Sequence, residues 1–180
     1  MKEDDSMHSF SFLGKVYFKI LYKINRVKCL RKIGVNAGEN LHVYGTIQVG
    51  SEPWLITLGN NVYLTDGVRF ICHDGGTLLF RDIIPDLEIT KPIVLGNNVY
   101  VGNNVIFLPG ATVGNNVVVG AGAVVSGNIP DNSVAVGIPA KVIKSIDEYF
   151  EKIQRESLHL GHLKSKEKDD ALKKFFRYDK

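Results

Sequence analysis

A six-residue repeat limits what this chain can fold into more than any other feature. From Leu95 the chain divides without a slip into LGNNVY, VGNNVI, FLPGAT, VGNNVV, VGAGAV and VSGNIP. The same frame reads LGNNVY, LTDGVR and FICHDG from Leu58 to Gly75, with fainter sixes such as AGENLH from Ala37 and VYGTIQ from Val43. A period of six matches neither an amphipathic helix at 3.6 nor an alternating strand at 2. It matches short strands joined by tight turns. Position one carries a large aliphatic residue and position five mostly Val or Ala, while positions two to four hold Gly and Asn, which tolerate turn conformations best. If each six is one flat face plus a corner, three make a triangular coil, and stacked coils make parallel strands around a thin apolar core. The expectation is an all-β solenoid, a parallel β-helix of about five coils whose corners absorb the 18 glycines. An ordinary β-sandwich would instead show irregular turn spacing of about 8–12 residues.

The repeat does not cover everything. The two LGNNVY copies lie 37 residues apart, one more than a multiple of six, so a non-repetitive segment separates them. The chain divides into a basic helical cap over residues 1–34, a β-helix over 35–144 interrupted by a loop at 74–92, and a C-terminal helix with a charged tail over 145–180. From Ser11 to Lys32, apolar residues at Leu13, Tyr17, Ile20, Leu21, Ile24 and Val27 recur at helical spacing, with lysines at 15, 19 and 23 on another face. The segment SIDEYFEKIQRESLHLGHLKS reads as a helix starting near Ser145 or Asp147, and the charged tail KEKDDALKKFFRYDK after it is expected to be helical in its body and frayed at its end. Both end segments suit covers over exposed strand edges.

Composition narrows the partners. A net charge of +3 is too weak a bias to imply nucleic acid, but it hides an asymmetry: seven basic and no acidic residues lie between Ser6 and Gly38, which leaves the rest at −4. The basic helix is open to two readings, a coil cap or a peripheral contact with an anionic membrane. Two cysteines outside any CxxC pair make a reducing cytoplasm the default. No signal-peptide pattern and no apolar run of transmembrane length is evident.

Chemistry is expected where the repeat breaks. In the hexad Phe70-Ile71-Cys72-His73-Asp74-Gly75, His73 takes a corner slot usually filled by Asn or Gly, and Asp74 takes the slot where a small apolar residue should point inward. The long excursion GGTLLFRDIIPDLEITKP follows, and such a loop on a rigid scaffold is commonly functional. A neutral imidazole can take a proton from a hydroxyl near pH 7. Asp74 either orients that imidazole, binds substrate or forms a plain turn. Cys72, adjacent in an extended segment, points to the opposite side and reads as packing. His42 reads as structural, and His159 with His162 lacks a third partner for a metal.

These residues place the chain in a family. The repeats, the PI-V-LGNNVYVGNNV block (Pro92 to Val105), LPGATVG (Leu108 to Gly114) and GAGAVVSGNIPDNSVAVGIPAKVIK (Gly120 to Lys144) resemble the hexapeptide-repeat acyltransferases. The last segment is similar to the closing segment of sugar and polysaccharide O-acetyltransferases of the galactoside and maltose type. The resemblance implies a left-handed coil, a homotrimer with active sites between subunits, and acetyl-coenzyme A as cosubstrate without a metal. It implies His73 as general base, deprotonating a sugar hydroxyl that attacks the thioester in a ternary complex. Tyr100 would wall the acceptor pocket, and the loop's Arg81 would help bind substrate. The amides of Asn103 and Ala121 would hold the pantetheine arm. Ser126 and Gly127 stand where the family usually carries Thr-Lys before the Ile-Pro, a departure that removes one phosphate-facing cation and leaves Ser126 as the cofactor-binding candidate there. Lys141 and Lys144 remain for the phosphates, or are plain surface charges. A related zinc family needs three coil histidines; only His42 and His73 lie in the repeats, so that reading fails.

The leading function is therefore acetyl transfer to a sugar hydroxyl in surface-polysaccharide assembly. Transfer to the amino group of a nucleotide-linked sugar, to serine or to an antibiotic, and a non-catalytic scaffold, are the alternatives.

Overall fold

The structure, a computed structural model, describes residue 22 and residues 24–178. Most of the expected basic cap, including its membrane reading, therefore lies outside the described residues. What is described of it is a short helix, α1 (Arg26–Lys32), whose first turn is capped by the Asn25 side chain accepting from the Lys28 amide at 2.8 Å. Its Cys29 and Leu30 are buried.

The chain separates into two units, one ending at Ile146 and one beginning at Asp147. In the first, successive strands fall on three different sheets in turn. The first sheet holds β1 (Asn36–Ala37), β3 (Ile56–Leu58), β6 (Ile93–Leu95), β9 (Thr112–Val113) and β12 (Asn128–Ile129). On the second lie β2 (His42–Val43), β4 (Val62–Leu64), β7 (Val99–Val101), β10 (Val117–Val119) and β13 (Ser133–Val136), and on the third β5 (Arg69–Phe70), β8 (Ile106–Phe107) and β11 (Val124–Val125). Neighbours within each of these sets are parallel and in register, which makes the unit a parallel β-helix. The hexad frame sets the burial. Leu58, Val62, Leu64 and Val68 lie in the core at positions one and five, as do Leu95, Val99, Val101 and Val105 one coil on. Phe70 and Phe107 stack along the axis with centroids 5.0 Å apart.

Gly and Asn fill the corners as expected, and the left-handed slot is taken by Gly67, Gly110 and Gly122 or by asparagine. In each GNN corner the left-handed residue is the second asparagine: Asn61, Asn98 and Asn116 all have φ of +56°. The glycine is there for lack of room. A Cβ on Gly59 would lie 2.4 Å from the Gly96 carbonyl oxygen, and one on Gly96 2.7 Å from that of Gly114. The asparagine side chains then tie coil to coil. Asn61 donates to Asn98 at 2.9 Å, Asn98 to Asn116 at 3.0 Å and Asn116 to Asn132 at 2.9 Å, while the amides of Asn60 and Asn97 donate to the side chains of Asn97 and Asn115.

Two further differences concern the ends. Lys141 and Lys144 belong to β14 (Lys141–Ser145), which turns back and runs antiparallel to β13, covering the edge of the second sheet; the repeat pattern carries no sign of this strand. The helix expected over SIDEYFEKIQRESLHLGHLKS stops early, as α2 (Ile146–Glu156), and the body of the charged tail forms a separate helix, α3 (Ser165–Phe175). His159 adopts φ of +54°, which the interior of a helix does not allow, and its amide donates to the Ser157 hydroxyl instead of continuing the turn. No described helix is long and apolar enough to cross a membrane.

Candidate active site

The site is built at one corner of the prism, between the third and first sheets. Coil-to-coil pairing at the start of the chain carries a constant offset of 21 residues: Asn36 opposite Thr57, His42 opposite Tyr63 and Gln48 opposite Arg69. The same offset sets Glu52 over His73, and their side chains meet, Oε2 to Nδ1, at 2.9 Å. Glu52 precedes a three-residue 3-10 turn, η1 (Pro53–Leu55), and His73 precedes the long loop, so both departures from the coil leave the same corner one coil apart.

The electrostatics of the pair decide its protonation. Burial alone would raise the Glu52 carboxyl, but hydrogen bonds from the Ser51 hydroxyl (2.5 Å) and from His73, with the imidazole's charge, outweigh it and hold the group below the ordinary carboxylate range. An ionised carboxylate only accepts hydrogen bonds, so Nδ1 carries a proton, and in the neutral imidazole that leaves the lone pair on Nε2. Nε2 has no protein partner among the described residues, and the His73 side chain is 43% exposed. Such an arrangement can work as a general base whose ring is oriented by a carboxylate. Glu52 was not legible as a site residue in the hexad frame, where it falls between repeats; the 21-residue offset finds it.

Asp74 is not the partner of the imidazole. It caps a second 3-10 turn, η2 (Gly75–Phe80), accepting from the Gly76 amide at 2.9 Å, and its carbonyl accepts from the Thr77 hydroxyl at 3.0 Å. The inward slot expected for Asp74 is lost because the chain leaves the coil after Cys72, and Asp74 is exposed. Cys72 packs in the core at 1% exposure, and its thiol is pushed up to about 11 by burial and then by the Glu52 charge. That keeps it protonated and unfit as a nucleophile. The loop closes on its own base: the Asp74 amide donates to the Ile89 carbonyl and the Lys91 amide to the Cys72 carbonyl. Arg81 spends its guanidinium inside the loop, on the Leu87 carbonyl and the Glu88 carboxylate.

The remaining candidates lie elsewhere. Tyr100 is on β7, half exposed, in a groove of about 930 Å³ on the second sheet that it shares with Tyr44, Tyr63, Thr65 and Val118. His73 does not line that groove, and His42 stacks on Tyr63 at 4.5 Å. Asn103 and Ala121 come together at the corner between the second and third sheets: the Gly122 amide donates to the Asn103 carbonyl, and a Cβ on Gly102 would lie 2.5 Å from the Ala121 nitrogen. Both residues are exposed there. Ser126 is exposed just after β11, and the two lysines of β14 stand opposite Val136 and Val134. The structure thus brings together His73, Glu52 and Ser51, and separately Asn103 and Ala121; no contact joins Ser126, Lys141 or Lys144 to either group.

The chain is similar to several known proteins. The family model "Bacterial transferase hexapeptide (six repeats)" matches residues 92–127. Protein CapG of Staphylococcus aureus is 42% identical over 158 residues, covering 87% of this chain and 92% of CapG. WbbJ of Escherichia coli, named as a lipopolysaccharide biosynthesis O-acetyltransferase, is 39% identical over 114 residues, or 59% of this chain and 58% of that protein. Among solved structures, a maltose O-acetyltransferase from Clostridium difficile superimposes with a TM-score of 0.54 at 29% identity, covering 81% of this chain and 97% of that one.

Proposed function

Because the chain belongs to the hexapeptide-repeat acetyltransferases, we propose that it moves an acetyl group from acetyl-coenzyme A to a sugar hydroxyl in the assembly of a surface polysaccharide. The observation that carries this reading is the Glu52–His73 contact at the root of the loop. Nε2 of His73 takes the proton as the acceptor oxygen attacks the thioester carbonyl. The tetrahedral intermediate collapses with cleavage of the carbon–sulfur bond, and the departing thiolate takes the proton back from His73. The imidazolium that forms in between is stabilised by the Glu52 carboxylate. No acyl-enzyme is required. The exposed turn amides of Asn103 and Ala121 suit the amide-rich pantetheine arm, with Lys141, Lys144 and Ser126 assigned toward the phosphates. Tyr100, Arg81 and Asp74 are assigned toward the acceptor.

A homotrimer with a left-handed coil of about five turns belongs to the same proposal. In its support, the loop presents Leu78, Leu79, Phe80, Ile83 and Ile84 at 48–80% exposure, an apolar surface that a neighbouring subunit would cover. The decisive experiment is His73→Ala assayed by release of free coenzyme A over a panel of sugars, with mass measured in solution. Transfer should fall by about 10²–10⁴-fold while fold and assembly persist. Wild-type turnover in the variant would sink the assignment.

A further inference from the structure

Ser51 and Glu52 are neighbours in sequence, and in an extended segment their side chains would point to opposite sides. Here they do not. Gly50 sits at φ of +64°, and Glu52 adopts φ −113°, ψ 58°, outside the strand and helix regions, as it caps η1. The backbone is bent at this point so that the Ser51 hydroxyl donates to Glu52 Oε1 at 2.5 Å. The other carboxylate oxygen, Oε2, is the one that meets His73 Nδ1 at 2.9 Å. Both oxygens are therefore held, from different sides, by short hydrogen bonds. Turning the carboxylate away from the imidazole requires both to break.

From this geometry we propose that Ser51 is a positioning residue of the acetyl transfer: it fixes the Glu52 carboxylate in the rotamer that orients His73, and so acts on the reaction through two side chains without touching either substrate. The inference rests on the reading of His73 as the general base. Ser51 is only partly buried and its side chain makes no other hydrogen bond among the described residues, so the bond to Glu52 is its one evident role. A hydroxyl is what the position needs. It is small enough to reach back over one residue, and it donates to an ionised carboxylate without adding a competing charge. Loss of that donor leaves Oε1 to water, and the carboxylate is free to sample rotamers in which Oε2 no longer faces Nδ1.

The test uses the full chain with Ser51→Ala, Ser51→Cys and Ser51→Thr, and two independent readouts. The first is steady-state kinetics with acetyl-coenzyme A and the best acceptor from the sugar panel. The second is the Nδ1–H resonance of His73 in proton–nitrogen spectra of the free protein. With alanine, kcat should drop about tenfold, the worth of one charge-assisted hydrogen bond, with both KM values within about twofold of wild type. The Nδ1–H resonance should broaden or vanish. Cysteine, equal in size but a weak donor, should behave like alanine if it keeps the wild-type melting temperature, and threonine should restore both signals. The proposal is overturned by wild-type kcat in a folded alanine or cysteine variant, by an Nδ1–H resonance that does not change, or by a loss confined to the acceptor KM. The last outcome would make Ser51 a substrate contact. If the wild-type chain transfers to no acceptor, the acetyltransferase reading fails on its own, while the resonance still decides whether Ser51 orders the pair.

Discussion

Replacing Glu52 with glutamine isolates the charge of the pair with little change in shape, since an amide oxygen can still accept from Nδ1–H. What disappears is the attraction between a carboxylate and the imidazolium that forms when His73 holds the acceptor's proton. For unit charges at the observed 2.9 Å, Coulomb's law gives about 1.4 kcal/mol in water and about 6 kcal/mol at an effective dielectric of 20. The His73 and Glu52 side chains are 43% and 21% exposed, so the working value lies toward the water end, at about 2 kcal/mol. That corresponds to roughly a thirtyfold loss in kcat, well short of the loss expected for His73→Ala. The assay is release of free coenzyme A with both substrates saturating, so that changes in binding do not enter. A glutamine variant within twofold of wild type would refute the reasoning, because the carboxylate would then be invisible to the proton-bearing state it is supposed to stabilise. A loss as deep as that of His73→Ala would refute it from the other side, by showing that the amide no longer orients the ring.

The same carboxyl makes stability depend on pH. Its folded pKa lies below its reference value of 4.5, so its contribution is present above that value and is lost as pH falls through the folded pKa. The melting-temperature gap between wild type and Glu52→Gln should therefore be open at neutral pH and close as pH falls through the folded pKa, and a gap that widens on acidification would contradict the assignment. At the corners, Asn98→Ala should destabilise by about 2–3 kcal/mol and Asn98→Gly by about 1 kcal/mol less, because alanine keeps the left-handed penalty at φ of +56° while both lose the amide ladder. Equal denaturation midpoints would remove the conformational part. Neither Cys29 nor Cys72 should react with a thiol reagent in the native protein, since both are buried and their thiols are raised by burial; stoichiometric labelling within minutes, without denaturant, would overturn that.

Periodicity made the scaffold readable because each hexad position has one physical duty. A large aliphatic residue at position one and a small branched one at position five must point inward wherever a coil repeats, and the buried set follows that rule from Leu58 to Ile129. The corner chemistry was read only in part. Glycine and asparagine both signal turns, and only the coordinates separate the crowding at Gly59 from the left-handed backbone at Asn61. The loop and His73 stood out because they break a strict frame. Glu52 did not, because it falls in a region where the frame is already faint and its partner is 21 residues away. The antiparallel return of β14 was invisible for a different reason. Edge-covering depends on what the last coil leaves unpaired, and no local pattern in KVIKS encodes it.

The placement of the pair follows from how a coil scaffold handles insertions. Stacked strands keep residues at matched positions about 4.8 Å apart, so two side chains one coil apart at the same corner meet without any special packing. An insertion can leave such a prism only at a corner, because a flat face is tied on both sides by ladder hydrogen bonds. The register steps along the helix show where this happens. Tyr63 pairs with Tyr100 across 37 residues, but Tyr100 pairs with Val118 across 18, which is the undisturbed coil. The first step, 21, exceeds that coil by the three residues of η1, and the second exceeds it by the length of the loop. Both excesses exit at the corner that holds Glu52 and His73. The ladders above and below hold the two backbones at a fixed separation, while the exits free the corner from repeat composition, so it can carry a carboxylate and an imidazole where other corners need asparagine. Deleting η1 to restore an 18-residue step removes three residues that all lie between Glu52 and His73, so the ladders and the Glu52–His73 register should both survive, and transfer with them. A folded deletion variant that lost transfer would break the link between register and catalysis drawn from these offsets.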